Sequence, residues 1–268
     1  MKFNEYKLKI KFEPFYKTEQ SEIFLTEKGT LCKHHFIEAD KNNELFFYNF
    51  FNKKGLIKTP KIYHSGEDFI EMELIKKKKD FNLMETIKEI SNLYKKTWDT
   101  KLSATKIDLS KEKLFYRLNY LNEEIKKREI NPKILKDSNK FVNEKYIFPD
   151  KECIIHGDLK SIHVIPTETE IKFIDFALSG IANPWYDLSF LCMEEQEDKN
   201  KIFNNIKEMS HFYLGDELGL NKKEISNYLQ SSMFYRTLYN LGFALRHRPK
   251  KSLDRIVNEL NNIMNITI

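Results

Sequence analysis

The fold is decided by Ile154-Ile155-His156-Gly157-Asp158-Leu159-Lys160-Ser161-Ile162-His163-Val164-Ile165, followed shortly by Ile171-Lys172-Phe173-Ile174-Asp175-Phe176. Three short apolar runs at 153–155, 163–165 and 171–174 are rich in β-branched residues, which predicts strands. One aspartate then lies on a loop between strands, and the second lies at the end of the next strand. Two carboxylates that converge from strand ends can hold a divalent cation and orient a hydroxyl nucleophile. The alternative is an aspartate in a turn and another capping a helix, but the spacing and the preceding His-Gly favour the chemical interpretation.

The composition predicts a folded protein with a substantial core. The chain has 268 residues, of which 41% are hydrophobic and 13% aromatic, and this excludes wholesale disorder. A chain of this length buries about 70–75% of its extended surface. Its 45 Lys and Arg residues against 40 Asp and Glu residues give a net charge of +5, too weak a bias to indicate nucleic acid. The lysine run at 76–79 predicts a solvated loop, with phosphate steering or membrane binding as the alternatives.

Targeting and redox signals point to a cytoplasmic protein. Residues 1–20 contain no apolar stretch that resembles a signal peptide, and no run approaches 18 apolar residues. The three cysteines are far apart and form no Cys-x-x-Cys pair, so we expect buried thiols without a disulfide framework or a zinc site. We therefore expect a cytoplasmic location, with neither a membrane nor a nucleic acid as partner.

The two aspartates and their neighbours resemble the catalytic core of the aminoglycoside phosphotransferase and choline kinase superfamily, the small-molecule relatives of protein kinases. The superfamily motif is His-Gly-Asp, four residues, Asn, then Ile-Asp-Phe or Ile-Asp-Trp, and a downstream Asp-Leu. The corresponding segments are His156-Gly157-Asp158, His163, Ile174-Asp175-Phe176 and Asp187-Leu188. The resemblance implies an α+β, bilobal protein-kinase-like fold. Residues 1–75 would form a small antiparallel-sheet N-lobe and residues 76–268 a larger helical C-lobe.

The same resemblance assigns roles within the motif. It implies that Asp158 is the catalytic base, Asp175 a Mg²⁺ ligand, Asp187 a buried brace for the catalytic loop, and His156 a further structural support. His163 stands where most members have the second metal ligand, Asn, and members that act on the 2''-hydroxyl of aminoglycosides look similar in carrying His there. Because Mg²⁺ prefers oxygen, His163 either ligates the metal, bonds instead to Asp158 or to a phosphate, or has a purely structural role.

The N-terminal part carries the residues expected to bind the nucleotide. Polar and apolar residues alternate over 5–37, with a turn at 27–29, which predicts an antiparallel sheet. By resemblance Lys33 would bind the α- and β-phosphates of ATP or GTP, although a surface lysine is the alternative. Glu44, placed at the start of a helix predicted over 43–51, would pair with it, although a first-turn glutamate also complements the helix dipole.

Two further nucleotide contacts are expected from the surrounding sheet. The strand predicted over 68–75 ends in a segment that resembles the kinase hinge, where Glu73 and Ile75 would bind the nucleobase through the backbone. The candidate phosphate loop at 17–21 contains no glycine, which predicts a looser approach of the backbone to the phosphates.

The C-terminal half is predicted to be helical and to bind the acceptor. Apolar residues recur at helical spacing over 83–98, 114–125, 202–213, 225–229, 238–245 and 256–263. Only eleven residues separate Asp175 from Asp187, too few for a protein-kinase activation loop, which favours a small-molecule acceptor. The acidic cluster that follows suits a cationic aminoglycoside or choline by charge-assisted hydrogen bonds, but equally suits a solvated loop. Its members are Glu194, Glu195, Glu197 and Asp198.

The function predicted is phosphoryl transfer from ATP or GTP, with Mg²⁺, to the hydroxyl of a small molecule. An aminoglycoside, which would mean antibiotic resistance, or an amino-alcohol such as choline is the expected acceptor. One alternative is a kinase of a cell-envelope sugar or a protein. Another is an inactive nucleotide-binding pseudokinase, suggested by the missing glycines and by His163.

Overall fold

The computed structural model describes residues 1–7, 14, 16–102, 106–128, 130–148, 151–194, 199–248 and 250–266. They form two compact units. The first comprises Met1–Thr97 and His156–Gly180, and the second comprises Trp98–Ile155 and Ile181–Ile268. The lobe boundary at residue 75 stays a prediction.

The described residues contain nine strands and ten α-helices. The strands are β1 (Tyr16–Lys17), β2 (Ser21–Leu25), β3 (Thr30–His35), β4 (Ile62–Ser65), β5 (Phe69–Glu73), β6 (Cys153–Ile155), β7 (Val164–Pro166), β8 (Ile171–Phe173) and β9 (Gly180–Ala182). The helices are α1 (Phe3–Lys7), α2 (Glu38–Lys54), α3 (Leu83–Lys96), α4 (Lys111–Lys127), α5 (Lys133–Glu144), α6 (Pro184–Met193), α7 (Lys199–Ser210), α8 (Asp216–Leu218), α9 (Lys222–His247) and α10 (Lys250–Met264).

The first unit is built on an antiparallel sheet with strand order β1-β2-β3-β5-β4. The sheet and the β2–β3 turn were predicted and are confirmed. Gly29 takes the left-handed φ of 74° that this turn requires. The strand prediction was wrong for residues 5–7, which belong to α1, and the alternating stretch 8–12 lies outside the described residues.

The short helix α1 is held by the sheet. Five residues are too few for a stable isolated helix. Phe3 packs with Phe24, Cys32 and Phe69, and its N–H donates to Asp68 Oδ1 at 2.6 Å. Tertiary contacts therefore account for this helix, which periodicity alone does not predict.

Helix α2 is longer than predicted. It begins at Glu38 and not at residue 43. The sequence does not reveal this start, because the N-cap residue, Ile37, has no side chain that could cap the helix. It ends at Gly55, whose left-handed φ of 59° lets its N–H bond the Phe51 carbonyl. Glu44 therefore lies in the second turn and is fully buried, so placing it at the helix start was wrong, and so was the dipole explanation.

The predicted hairpin after the His-Gly-Asp loop is confirmed within one residue at each end. Its strands β7 and β8 pair antiparallel, with Val164 opposite Phe173. Backbone bonds attach the hairpin within the first unit: Phe173 N–H donates to the Lys58 carbonyl at 2.8 Å, and Lys78 N–H donates to the Pro166 carbonyl at 2.9 Å. His163 ends a single 3₁₀ turn, Ser161–His163, just before β7.

The second unit is mainly helical, as predicted. Helices α4, α7, α9 and α10 contain the predicted apolar stripes, although 225–229 and 238–245 belong to the one continuous helix α9. Helix α5 was not predicted. Neither was α6, which is buried on nearly all sides and so has no polar face to create a periodic pattern. None of the described helices is long and apolar enough to cross a membrane.

Candidate active site

Lys33 is the centre of a buried ion cluster in the first unit. Its Nζ lies 2.8 Å from Glu44 Oε2 and 2.7 Å from Asp175 Oδ1. Lys33 and Glu44 are almost completely enclosed, whereas the Asp175 side chain keeps 35% of its surface exposed. Strand β3, helix α2 and the segment after β8 therefore meet at one ammonium group. The predicted partnership of Lys33 and Glu44 is present in the structure.

Mutual charge keeps the cluster ionised. Burial opposes the charge of Lys33, but Glu44 and Asp175 raise its pKa above the ordinary value. Burial also opposes the charge of Asp175, but Lys33 and then His163 hold the pKa of that carboxyl below its usual range. Burial opposes the charge of Glu44 as well, but Lys33 and His35 together lower its pKa. The cluster is thus a fixed array of charges at neutral pH.

Helix α2 contributes a second residue to the cluster. Tyr48, one turn after Glu44, is buried, and its hydroxyl oxygen accepts a hydrogen bond from the Asp175 N–H at 3.1 Å. Burial, followed by the nearby charge of Glu44, raises the pKa of Tyr48 well above its ordinary value, so the hydroxyl stays protonated. Tyr48 therefore fixes the backbone at Asp175 while Lys33 fixes its side chain.

Asp158 lies in the bend between β6 and the 3₁₀ turn, on the predicted loop. Its Oδ2 is 2.7 Å from the ammonium of Lys160, whose side chain is 37% exposed, and 3.5 Å from His163 Nδ1. The Asp158 side chain itself is only 13% exposed. The candidate base thus has a cationic partner on its own loop that sequence reasoning missed.

His163 joins the two aspartates. Its Nδ1 lies 2.7 Å from the Asp158 carbonyl oxygen, which can only accept, so Nδ1 carries the hydrogen. Its Nε2 lies 3.3 Å from Asp175 Oδ2. With the hydrogen on Nδ1, the lone pair of Nε2 faces the Asp175 carboxylate, an arrangement that suits a cation bound between them. Of the alternatives for His163, the structure therefore contains the bond to Asp158, which is made to its backbone carbonyl.

The donor set fits Mg²⁺ held largely by phosphates and water. Mg²⁺ is commonly bound in nucleotide sites by one or two protein carboxylates plus phosphate oxygens. Asp175 supplies a partly exposed carboxylate, and His163 Nε2 supplies a borderline ligand next to it. Among the described residues, no group of three or more His, Cys, Asp or Glu side chains could hold a metal. Phosphate oxygens of a bound nucleotide and water would complete the coordination.

The contacts of His156 suit the supporting role that the resemblance implies. It is fully buried, and its Nε2 donates to the Ile174 carbonyl at 2.9 Å. The Nδ1 atom accepts the Asp158 N–H at 3.4 Å. Burial, followed by the charge of His163, lowers the pKa of His156 to about 4. The ring is therefore neutral at pH 7 and connects the loop of Asp158 to the strand that leads to Asp175.

The backbone at Asp175 is strained, and its surroundings hold it. Asp175 has a φ of 67°, a left-handed conformation that costs a residue other than glycine on the order of 1 kcal/mol. The following segment packs so closely on Gly157 that a Cβ there would lie 1.9 Å from the Leu178 carbonyl oxygen. Ser179 Oγ donates to the His156 carbonyl at 2.7 Å. We call residues 175–179 the Asp175 strap.

The turn between β1 and β2 occupies the place expected of a phosphate loop. Thr18 Oγ1 accepts the N–H groups of Gln20 at 3.1 Å and Ser21 at 3.0 Å. The Thr18 hydroxyl thus binds two backbone N–H groups of the turn, whereas a glycine-rich loop would present such groups to a phosphate. This is consistent with the predicted looser approach.

The expected hinge lies at the end of β5. Glu73 N–H already donates to the Lys61 carbonyl at 2.8 Å, so it is engaged within the sheet. The Glu73 carboxylate binds Lys172 Nζ at 2.8 and 2.9 Å. Burial opposes the charge of this carboxylate, but Lys172 lowers its pKa. Nucleobase binding through Glu73 would therefore depend on its carbonyl, and Ile75 follows in the half-buried segment after the strand.

The remaining candidates belong to the second unit or lie outside the described residues. Asp187 is completely buried in the first turn of α6, which suits a structural role. Glu194 follows the end of α6 and is half-buried. Glu195, Glu197 and Asp198 lie outside the described residues. Their role in binding an acceptor stays a prediction.

Sequence reasoning missed three contributors to the site: Lys160, Tyr48 and Asn43. The position of Lys160, two residues after Asp158 on a short loop, could have indicated it. Tyr48 shared the apolar stripe of α2 and resembled ordinary core. Asn43 had no signal, because its partners lie more than 130 residues away.

Comparisons with known proteins find a matching family model and similar structures. Residues 96–208 match the model of a phosphotransferase enzyme family. The ADP-bound aminoglycoside phosphotransferase APH(2'')-Ib has a TM-score of 0.71 and 14% identity, covering 99% of this chain and 98% of that one. The GDP and kanamycin complex of another APH(2'') enzyme has a TM-score of 0.75 and 13% identity, covering 97% of each chain.

A choline kinase from Cryptosporidium parvum is also similar. Its TM-score is 0.63 at 12% identity, covering 96% of this chain and 88% of that one. The predicted resemblance to the aminoglycoside phosphotransferase and choline kinase superfamily is confirmed. The α+β kinase-like fold of this superfamily is confirmed with it. No curated protein sequence matches the chain.

Proposed function

We propose that this protein transfers the γ-phosphoryl group of ATP or GTP to a hydroxyl of a small molecule, in the cytoplasm. The assignment to small-molecule phosphotransferases of this superfamily is supported by the family match and by the fold. The observation that carries the proposal is the continuous arrangement Glu44–Lys33–Asp175–His163–Asp158. It brings the two aspartates and a buried, glutamate-paired ammonium to one place, as nucleotide-dependent phosphoryl transfer requires.

The donor side depends on Lys33 and Asp175. A nucleotide phosphate would replace Asp175 as one partner of Lys33, while Glu44 keeps the ammonium in position. Asp175, with His163 beside it, would hold Mg²⁺, which neutralises charge on the β- and γ-phosphates when bound. Because burial and Tyr48 fix these residues in advance, little reorganisation is needed at the moment of transfer.

The acceptor side depends on Asp158. Its carboxylate would orient the acceptor hydroxyl and take its proton, a contribution typically worth about 10²–10⁴-fold in rate. His163 and His156 both bond the backbone around Asp158 and so fix the direction of the carboxylate. When an acceptor binds, the Lys160 ammonium would either stay paired with Asp158 beside the acceptor hydroxyl or move to the negatively charged phosphate.

We propose an aminoglycoside or an amino-alcohol such as choline as the acceptor. Support comes from the short segment between Asp175 and Asp187 and from the half-buried Glu194. Structural neighbours include complexes with gentamicin and kanamycin and a choline kinase. ADP and GDP both occur in neighbours, so ATP and GTP are both to be tested.

The test is transfer from labelled ATP and, separately, labelled GTP with Mg²⁺. The acceptor panel contains aminoglycosides, choline, ethanolamine and simple sugars. We expect one acceptor class to be labelled and Asp158→Asn to reduce the rate by about 10²–10⁴-fold. Asp80→Asn, which makes the same chemical change at an exposed position, is the matched control and should retain the wild-type rate.

Three outcomes decide between the hypotheses. Labelling of a cell-envelope fraction or a protein, but of no small molecule, supports the macromolecular kinase. Nucleotide binding without any transfer supports the pseudokinase. No binding of either nucleotide with Mg²⁺ refutes the proposal.

A further inference from the structure

We propose that Asn43 is a positioning residue that holds the Asp175 strap, and with it the metal-binding carboxylate, in its working position. The inference deepens the proposed function, because it concerns the metal–nucleotide half of the same site. It depends on contacts of a side chain that neither the motif nor the superfamily resemblance identifies.

The amide of Asn43 binds several carbonyls of the strap at once. Asn43 lies on α2 immediately before Glu44 and is half-buried. Its Nδ2 donates to the carbonyls of Ala177 and Ser179, both at 2.9 Å, and lies 3.5 Å from the Phe176 carbonyl. An amide nitrogen has two hydrogens, so the two short bonds use both of them. The carbonyls converge because Ser179 N–H closes a turn onto the Phe176 carbonyl at 3.0 Å.

These bonds occur where the strap needs support. Asp175 is the strained residue at the start of the strap, and such a conformation persists only where neighbouring structure holds it. Tyr48 binds the N–H at the start of the strap, and Ser179 Oγ binds the His156 carbonyl at its end. Asn43 is the contact in between, made by the same helix that carries Glu44. One helix thus fixes the partner of Lys33 and the residue proposed to bind metal.

The chemistry of the contact requires an amide. Aspartate has nearly the same shape, but its carboxylate accepts hydrogen bonds and would face three carbonyl oxygens, all acceptors. Alanine would leave the carbonyl of Ser179, a residue only 1% exposed, without its donor. Both substitutions should loosen the strap while leaving Lys33 and Glu44 in place.

The experiment compares Asn43→Asp and Asn43→Ala with the same changes at Asn42. Asn42 is the preceding residue on α2 and is exposed, so it controls for charge and for helix propensity. Calorimetry measures ADP binding with and without Mg²⁺ on the intact protein, and a thermal melt checks folding. We expect both Asn43 variants to lose about tenfold of the Mg²⁺-dependent gain in ADP affinity, with metal-free binding changed less than twofold.

A second measurement does not depend on nucleotide binding. Hydrogen–deuterium exchange at the amides of residues 176–180 should be faster in Asn43→Asp than in Asn42→Asp. The inference is overturned if the Asn43 variants fold normally and keep the wild-type Mg²⁺-dependent gain and exchange rates, or if the Asn42 variants lose as much. If wild-type protein binds no nucleotide, the proposed function fails, and exchange alone decides whether Asn43 holds the strap.

Discussion

Replacing Lys33 with methionine should expose the cost of an unpaired buried carboxylate. Lys33 is only 8% exposed and Glu44 is fully buried, so solvent cannot compensate Glu44 once the ammonium is removed. Removing one partner of a buried ion pair costs about 3–5 kcal/mol. For a protein of this size that corresponds to a fall in Tm of roughly 10 °C.

The double variant Lys33→Met/Glu44→Leu separates stability from activity. Removing both charges leaves no unpaired carboxylate at position 44, so much of the lost stability should return. Phosphoryl transfer should not return, because the phosphates still lack their ammonium. Urea unfolding gives the free energies, and the transfer assay gives the rates. A single variant within about 1 kcal/mol of wild type would refute the argument, since the pair would then not be buried as described.

The pH dependence of the single variant has a definite sign. In the wild type Lys33 lowers the pKa of Glu44, so the stability this group contributes is present above its unfolded pKa and is lost as pH falls. Without Lys33, burial is left to raise the pKa of Glu44, and the protonated form is then the stable one. The difference in free energy of unfolding between Lys33→Met and wild type should therefore be smaller when urea unfolding is measured at pH 5 than at pH 7. A gap that widens at pH 5 would contradict the assignment.

Three further predictions concern close packing at Gly157 and the burial of His156 and of the cysteines. Gly157→Ala should destabilise the protein by more than about 1 kcal/mol, measured by urea unfolding, because its Cβ would overlap the Leu178 carbonyl and its φ is 85°. Because burial lowers the pKa of His156 to about 4, its NMR ring signals should not titrate above pH 5.5. Its contribution to the free energy of unfolding should decline as pH falls from about 6.5 towards 4. Titration near pH 6.5 would show that the ring is not buried. A colorimetric thiol reagent should label no cysteine of the native protein, since all three are buried and burial raises their pKa values; rapid labelling of one would contradict that burial.

The core of the candidate site could be predicted because its signals are local in sequence. Asp158, His163 and Asp175 lie within 18 residues, and short β-branched runs indicate the strands that position them. The partnership of Lys33 with Glu44 needed the superfamily resemblance, since a lysine on an alternating strand has no distinctive pattern.

Other parts of the structure leave little trace in the sequence. The start of α2 has no capping side chain, and α6 is apolar on all sides, so neither shows a boundary or a periodicity. The bonds of Asn43 and Tyr48 to the strap join residues more than 125 positions apart. Hydrogen bonds of that kind depend on how helix and strap are placed, and no local pattern encodes that placement.

The strained backbone at Asp175 limits which amino acids evolution can place there. A left-handed φ is tolerated by glycine, asparagine and aspartate, whereas a hard anionic ligand can come only from aspartate or glutamate. Aspartate alone meets both demands. Drift to glutamate keeps the charge but meets the backbone penalty, and drift to asparagine keeps the fold but removes the anion. Under the proposed function, a single Asp175→Asn change would therefore remove phosphoryl transfer without disturbing the backbone, which is a direct mutational route to a protein that binds nucleotide and no longer transfers phosphate.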